Sequence, residues 1–221
     1  MKPQFSEFSY GYSITEELVK LLPSPLIAAP IFPSLYEECQ EGGGYDVKLP
    51  FYGMPLFLQF KVSHIMKRPS AKESDILGIP YYRMPLMSTR HSEQHNLLLD
   101  LETKYKSVFY IAPEFHSTSE LNAFYLNREV IENSAAFSPL DIGPLDEDDH
   151  YVAFKAGDPF AYLCSENPKK IEKNKLSAEI GEGLQSDWFE ERLIDDDFLR
   201  ILSEDLLGLL TNADQRLRER E

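Results

Sequence analysis

The stretch Leu56-Phe-Leu-Gln-Phe-Lys-Val62 is the strongest strand signal in this 221-residue chain. Its apolar and aromatic residues predict a β-strand, in which alternate side chains point to the same face. Gln59 and Lys61 therefore share one face with Phe57, whereas the other face is wholly apolar, with Leu58, Phe60 and Val62. Because an unpaired buried lysine is costly, this strand requires an acidic or polar partner beside it.

The residues that precede this strand supply acidic partners. Gly42-Gly-Gly44 is a turn signal, and the alternating segment Tyr45–Leu49 predicts a strand that is joined to the next one by a hairpin. Asp46 then lies on the strand beside the glutamine and the lysine. Glu38, ahead of the glycine turn, is a second candidate acid, and Glu37 competes with it for that role.

This combination of side chains suits metal-dependent phosphodiester hydrolysis. The Asp46 carboxylate, the Gln59 side-chain oxygen and the Phe60 carbonyl are hard ligands, so they predict a site for Mg²⁺ or Mn²⁺. Glu38 would supply a further ligand or hold the site together. Lys61 would orient a metal-bound water and stabilise developing negative charge. The simpler alternative is a cross-strand ion pair between Asp46 and Lys61, which would contribute little to stability.

Asp46 followed by Gln59-Phe-Lys61 resembles the D-x(n)-(E/Q)-x-K signature of the PD-(D/E)XK nuclease superfamily, and the glutamine variant is similar to that of Mrr-like restriction enzymes. Glu37-Glu38 before Gly44-Tyr-Asp46 resembles the glutamate-then-Gly-x-Asp run common in that group. The resemblance covers roughly residues 13–112. It implies an α/β, restriction-endonuclease-like fold with a central mixed sheet flanked by helices. It also implies a DNA endonuclease that, by analogy, belongs to a restriction or antiviral (anti-phage) defence system.

The helix after the Gln-x-Lys strand is a further source of candidate residues. Ser92 is expected to cap a helix over Gln94–Glu102, and helices at this place in the resembling fold sometimes contribute a polar residue. Gln94 and His95 are therefore candidate accessory residues of the site. His91 and His95 are also four residues apart, a spacing that can bind zinc, although polar residues at a helix start are the simpler interpretation.

The remaining elements follow from apolar periodicity and turn signals. We expect a first helix over Ser13–Leu22, a loop over 67–80, an interior strand over Ser107–Ala112, a helix over 118–133, and short strands over His150–Phe154 and Phe160–Cys164. The basic residues near the loop are interpreted either as a phosphate-binding edge or as a solvated surface: Lys67, Arg68, Lys72, Arg83 and Arg90. His116 and His150 are expected to be ordinary loop and turn residues.

Composition limits the function classes. The net charge of -15 argues against a simple nucleic-acid coat, because phosphate binding depends on Lys and Arg, but it is compatible with a local metal site. The two cysteines, Cys39 and Cys164, form no Cys-x-x-Cys pair, which excludes a zinc ribbon. We find no signal peptide and no apolar run of about 18 residues, so we expect a cytoplasmic protein without a membrane partner.

Three regions are expected: a nuclease-like α/β domain over 1–165, a linker over 166–186, and an acidic amphipathic helix over 187–221. The C-terminal helix would pack on the domain or bind a protein partner. The alternative function is a catalytically inactive nuclease-like fold that serves as a protein-interaction subunit of a larger complex. The two hypotheses differ in whether Asp46, Gln59 and Lys61 converge on one accessible site.

Overall fold

The computed structural model describes residues 1–21, 26–51, 54–69, 73–164 and 168–179, all within the compact unit Met1–Glu182. The helices of these residues are α1 Glu7–Leu21, α2 Leu35–Glu38, α3 Glu73–Leu77, α4 Gln94–Tyr105, α5 Thr118–Asn127 and α6 Pro139–Ile142. The strands are β1 Val47–Phe51, β2 Met54–Phe60, β3 His64–Met66, β4 Tyr81–Leu86, β5 Val108–Pro113, β6 Ser134–Phe137, β7 His150–Phe154, β8 Phe160–Cys164 and β9 Lys169–Glu172. The chain is thus of the mixed α/β class that the sequence predicts.

The first sheet has the order β1-β2-β5-β6 and is mixed. β1 and β2 form the predicted antiparallel hairpin, β2 runs parallel to β5, and β5 is antiparallel to β6. Every residue of β5 is buried, which confirms the prediction of an interior strand. Gln59 in β2 is in register with Tyr110 in β5, so the polar strand lies beside a buried neighbour strand at the centre of the sheet.

The second sheet, with the order β3-β4-β7-β8-β9, is antiparallel throughout. One face of it packs against the first sheet in a common core, where Tyr82, Met84 and Phe154 join Phe57 and Tyr110. The two short strands predicted over His150–Phe154 and Phe160–Cys164 are confirmed as β7 and β8, which pair antiparallel. The sequence patterns do not predict this sheet as a whole, because its order depends on pairing between distant segments.

Three predicted boundaries are wrong. The expected loop over 67–80 contains α3, whose buried Glu73 forms an ion pair with Arg83 of β4. The helix expected over 118–133 ends at Asn127, where Arg128 adopts a left-handed conformation. β9 lies inside the expected linker 166–186, because Ile171 is buried against β8. The rest of that linker from residue 180, and the helix expected over 187–221, lie outside the described residues.

A helix packs against each face of the first sheet, and on one of these faces the second sheet packs as well. On one face α1 buries Tyr10, Ile14 and Leu18, and the Tyr10 ring meets the Phe60 ring edge-on at 6.1 Å. On the other face α4 buries Leu98 and Leu101 in the common core. A helix on each side of β2 therefore brings residues of two different helices toward the end of the Gln-x-Lys strand.

The first helix begins earlier than the sequence predicts. Ser13 is the expected first residue, but it lies within the helix, where its hydroxyl donates to the Ser9 carbonyl at 2.9 Å. Ser6 instead accepts from the Ser9 backbone N–H at 3.0 Å, so the helix begins at Glu7. No helix among the described residues is long and apolar enough to cross a membrane.

Candidate active site

The glycine turn positions the acidic residues. The backbone N–H of Gly44 donates to the Glu38 carbonyl at 2.8 Å, which folds the chain back from α2 toward β1. Gly44 has a φ of +85°, and a Cβ there would lie 3.0 Å from the Gln94 carbonyl oxygen. Only glycine allows this backbone to pass so close to the start of α4. The turn therefore brings Glu38, Asp46 and Gln94 together.

Asp46 and Gln59 are in direct contact. Oδ2 of Asp46 accepts hydrogen bonds from Nε2 of Gln59 at 2.8 Å and from the backbone N–H of Phe60 at 2.7 Å. The backbone N–H of Asp46 donates to the Leu58 carbonyl at 2.9 Å, which extends the β1–β2 hairpin by one bond. Hairpin register thus places the carboxylate over the end of β2, as the sequence predicts.

Lys61 reaches the site from the end of the same strand. Its ammonium donates to Oε1 of Gln94 at 2.8 Å, and Nε2 of Gln94 donates to Oε1 of Glu38 at 3.2 Å. The lysine is therefore held through a neutral amide, which differs from the direct ion pair with Asp46 considered as the alternative. Gln94 therefore lies in this cluster, and Glu38 is the glutamate that joins it.

A residue that the sequence patterns missed is Glu7, at the start of α1. It is half-buried, and its carboxyl group is close enough to Lys61, Glu38 and Asp46 to interact with each electrostatically. Burial raises the pKa of Glu7, while Lys61 and a hydrogen bond from the Val62 backbone oppose that rise. The only sequence signal was an acid in the first turn of a helix, and the predicted helix began too late to show it.

The electrostatics of the cluster centre on Asp46. Burial raises the pKa of this carboxyl from 3.8 to about 6. The Phe60 N–H and the Lys61 ammonium oppose the rise, whereas Glu7 and Glu38 add to it. Three acidic groups near one ammonium leave an excess of negative charge, which a cation would relieve.

The side-chain amide of Gln59 is the group most relevant to metal binding. Its side chain is buried, its Nε2 donates both to Asp46 and to the Phe60 carbonyl at 3.2 Å, and its Oε1 is buried without a hydrogen-bond partner. The amide nitrogen thus joins two of the oxygens that the sequence predicts as metal ligands. An unpartnered buried acceptor is unusual. With the amide turned about its terminal bond, Oε1 would face the same position and complete an oxygen set that fits a hard cation.

Comparison with protein-family models, curated proteins and solved structures finds no match to this chain. Among the described residues, no group of three or more His, Cys, Asp and Glu side chains is arranged to hold a metal ion. A cation here would need the Gln59 and Phe60 oxygens in addition to the carboxylates.

Two candidates for the site lie elsewhere. Glu37 is the third residue of a capping box, in which its carboxylate accepts from Ser34 while the Ser34 hydroxyl accepts from the Glu37 N–H. His95 points into the core, where Nε2–H donates to the Gly143 carbonyl at 2.8 Å and Nδ1 accepts from the Tyr110 hydroxyl at 3.0 Å. Burial lowers the pKa of His95, which is consistent with this neutral form. His95 is therefore a core residue rather than an accessory residue of the site.

The other polar candidates have local partners. His91 precedes α4, so it does not share a helix face with His95 as the zinc hypothesis requires. Arg83 is paired with Glu73 and lies over the Tyr151 ring at 4.4 Å, while Arg90 contacts Glu147 at 3.3 Å. Lys67 and Arg68 are exposed, and Lys72 lies outside the described residues. His116 is 3.3 Å from Glu120, and His150 is 2.7 Å from Asp146.

Proposed function

We propose that this chain is a metal-dependent nuclease of the PD-(D/E)XK type, in its Gln-x-Lys variant, which hydrolyses phosphodiester bonds of DNA. The observation that carries the proposal is the convergence of Asp46, Gln59 and Lys61 with Glu38 at the end of one strand. Spacing in the sequence predicts the same four residues independently of any contact. The mixed sheet with helices on both faces supports the restriction-endonuclease-like version of the α/β class.

The residues that would hold Mg²⁺ or Mn²⁺ are Asp46, Glu38, Gln59 through Oε1 and Phe60 through its carbonyl. When bound, such a cation polarises a phosphate and lowers the pKa of a coordinated water. The protein side chains have distinct roles around it. Lys61 would stabilise negative charge that develops on the phosphate oxygens, since a fixed ammonium in a half-buried site acts with little screening.

Gln94 would position the lysine. It accepts from Lys61 and donates to Glu38, so one amide holds the ammonium and a carboxylate at a fixed separation. Because the amide is neutral, it fixes the position of the Lys61 ammonium without pairing it directly with a carboxylate.

A plasmid-nicking assay with Mg²⁺ and with Mn²⁺ tests the proposal. Lys61→Ala and Asp46→Asn are each expected to lower the cleavage rate by about 10²-fold or more, as for removal of other groups that stabilise transition-state charge. Lys20→Ala is the control, because Lys20 forms an exposed pair with Glu16 within α1. Circular dichroism establishes that each variant is folded. Metal-dependent cleavage that survives both substitutions would reject this mechanism.

The alternative is an inactive nuclease-like subunit, and one observation favours it. The Gln59 amide nitrogen already joins Asp46 and Phe60, so the site satisfies these oxygens without a cation. Calorimetric titration with Mn²⁺ separates the two functions. A nuclease should bind Mn²⁺, and Gln59→Glu should bind it more tightly because a carboxylate replaces the amide. Absence of Mn²⁺ binding together with absence of cleavage would favour the alternative.

The biological setting is part of the same proposal. A place in a restriction or antiviral defence system follows from analogy with Mrr-like enzymes. A cytoplasmic location and a DNA substrate belong to that setting. A protein partner that binds the C-terminal helix would be a separate contact, and residues 187–221 lie outside the described structure.

A further inference from the structure

The segment that leads into the candidate site is unusually apolar on its surface. Residues 26–41, here called the arm, run along the edge strand β1, with bridges from Leu26 to Phe51 and from Ile31 to Lys48. The arm includes α2, where Leu35 is 84% exposed and Tyr36 is 75% exposed. No residue of α2 is buried. Two large side chains therefore extend into solvent from a helix that contributes nothing to the core.

The exposed apolar surface extends beyond α2. Ile27, Ile31 and Phe32 of the arm are also exposed. Single exposed apolar residues are common, but several large ones from one short segment indicate an interaction surface. Because Glu38 is the last residue of α2 and a member of the candidate site, this surface borders that site.

The charge of this region limits what can bind there. From Leu26 to Asp46 the sequence contains no lysine or arginine, and its charged residues are Glu37, Glu38, Glu41 and Asp46. Phosphate groups are bound mainly by Lys and Arg, so a nucleic acid is a poor occupant of the arm itself. A second copy of this chain is also a poor occupant, because each copy has a net charge of -15.

We propose that the arm is a docking surface for a protein partner whose contacting segment is both apolar and basic. Apolar side chains of that segment would cover Leu35 and Tyr36, and its Lys or Arg side chains would face Glu41 and the acidic cluster beyond. Complementary charge directs such an encounter and excludes like-charged partners. Binding of such a partner to the arm does not require catalysis at the site. If the chain is a nuclease, the Lys and Arg side chains of the partner would supply the positive charge that residues 26–46 lack.

A synthetic peptide provides the probe. An amphipathic helix of about five turns, with leucines on one face and lysines on the other, has the proposed chemistry. Binding to the full chain is measured by fluorescence anisotropy of the labelled peptide. Its location is read from Cys39, which is exposed next to α2, whereas Cys164 is buried. Peptide bound to the arm should slow alkylation of Cys39.

The decisive comparison is between two surface variants. The double variant Leu35→Ser with Tyr36→Ser is expected to weaken binding at least about tenfold, because it removes the two most exposed anchors. The control is Leu126→Ser, since Leu126 is 80% exposed on α5 and lies outside the arm. A peptide of lysine alone, with the same charge, should bind more weakly than the amphipathic peptide.

Several results would overturn the proposal. One is equal affinity of the peptide for the arm variant and the wild type, and another is equal affinity of the lysine-only peptide. Protection of Cys39 by a single-stranded oligonucleotide would assign the arm to nucleic acid instead. Protection that increases with protein concentration alone would assign it to a second copy of the chain. None of these results depends on cleavage, so they leave the nuclease proposal to its own assay.

Discussion

Removing the charge of Asp46 is expected to stabilise the protein while it lowers the proposed activity. Burial raises the pKa of this carboxyl from 3.8 to about 6, so the charged form is less stable in the folded chain than in the unfolded chain. A difference of about two pKa units corresponds to about 3 kcal/mol. The amide side chain of the Asp46→Asn variant would keep an oxygen that can accept from the Phe60 N–H and from Gln59.

The pH dependence has a definite sign. Above about pH 6 the wild-type carboxyl is ionised in both states, and folding carries the full cost of burying the charge. As the pH falls from about 6 to about 4, the folded state binds the proton first and the wild type gains stability. Asp46→Asn should therefore be more stable by up to about 3 kcal/mol near pH 7.5, and the gain should disappear below about pH 4.

Urea denaturation at a series of pH values, with a chelator present to remove divalent metals, measures this difference. Asp100→Asn is the matched control, because Asp100 is an exposed aspartate of α4 and its substitution should change stability little. Lower stability of Asp46→Asn than of the wild type at neutral pH would show that the Asp46 charge does not destabilise the fold. A stability difference that does not change with pH would show the same.

Three further predictions concern the turn, the metal and the second sheet. Gly44→Ala should lower the free energy of unfolding by about 1 kcal/mol more than Gly42→Ala, because both glycines have positive φ but only at Gly44 would an added Cβ lie within 3.0 Å of atoms of α4. Urea denaturation of the two variants measures this difference, and equal losses of stability would contradict the prediction. Millimolar Mg²⁺ should raise the melting temperature of the wild type but not of a variant without the Asp46 carboxylate, and equal shifts in thermal melts would count against a metal at this site. Glu73→Gln should lower the free energy of unfolding by about 3 kcal/mol, because it leaves the Arg83 guanidinium without its buried carboxylate partner. Urea denaturation measures this, and a loss below about 1 kcal/mol would show that the ion pair contributes little to stability.

The residues of the candidate site are only partly exposed to solvent, which affects their electrostatic interactions. Asp46, Lys61, Glu38 and Gln94 are half-buried, whereas Gln59 beneath them is fully buried. Partial burial strengthens electrostatic interactions without closing the site to a substrate. The burial that makes the Asp46 charge costly would also strengthen its attraction for the proposed cation, a relation expected where function and stability are in conflict.

Local patterns were sufficient where one element sets the geometry. Alternation along β2 placed Gln59 and Lys61 on one face, and the short hairpin placed Asp46 beside them, because strand pairing over so few residues leaves little choice of register. The helix that begins at Gln94 and the interior strand β5 were predicted for similar reasons, since their apolar periodicity is strong.

Local patterns failed where a choice depended on distant residues. Glu37 and Glu38 are adjacent, and only the capping contact with Ser34 decides that Glu38 is the one that reaches Gln94. Gln94 and His95 are adjacent too, and helix rotation directs the first to Lys61 and the second into the core.

By itself the sequence determined the Gln-x-Lys strand, its hairpin with Asp46 and the acidic character of the neighbourhood. Only the tertiary structure decided that Glu7 joins this cluster, that Gln94 links the lysine to Glu38, and that a second sheet closes the core. The physical reason is the range of the interactions: periodicity and turn preferences act over a few residues, whereas side chains from α1, α2 and α4 meet only after the sheet has brought those helices together.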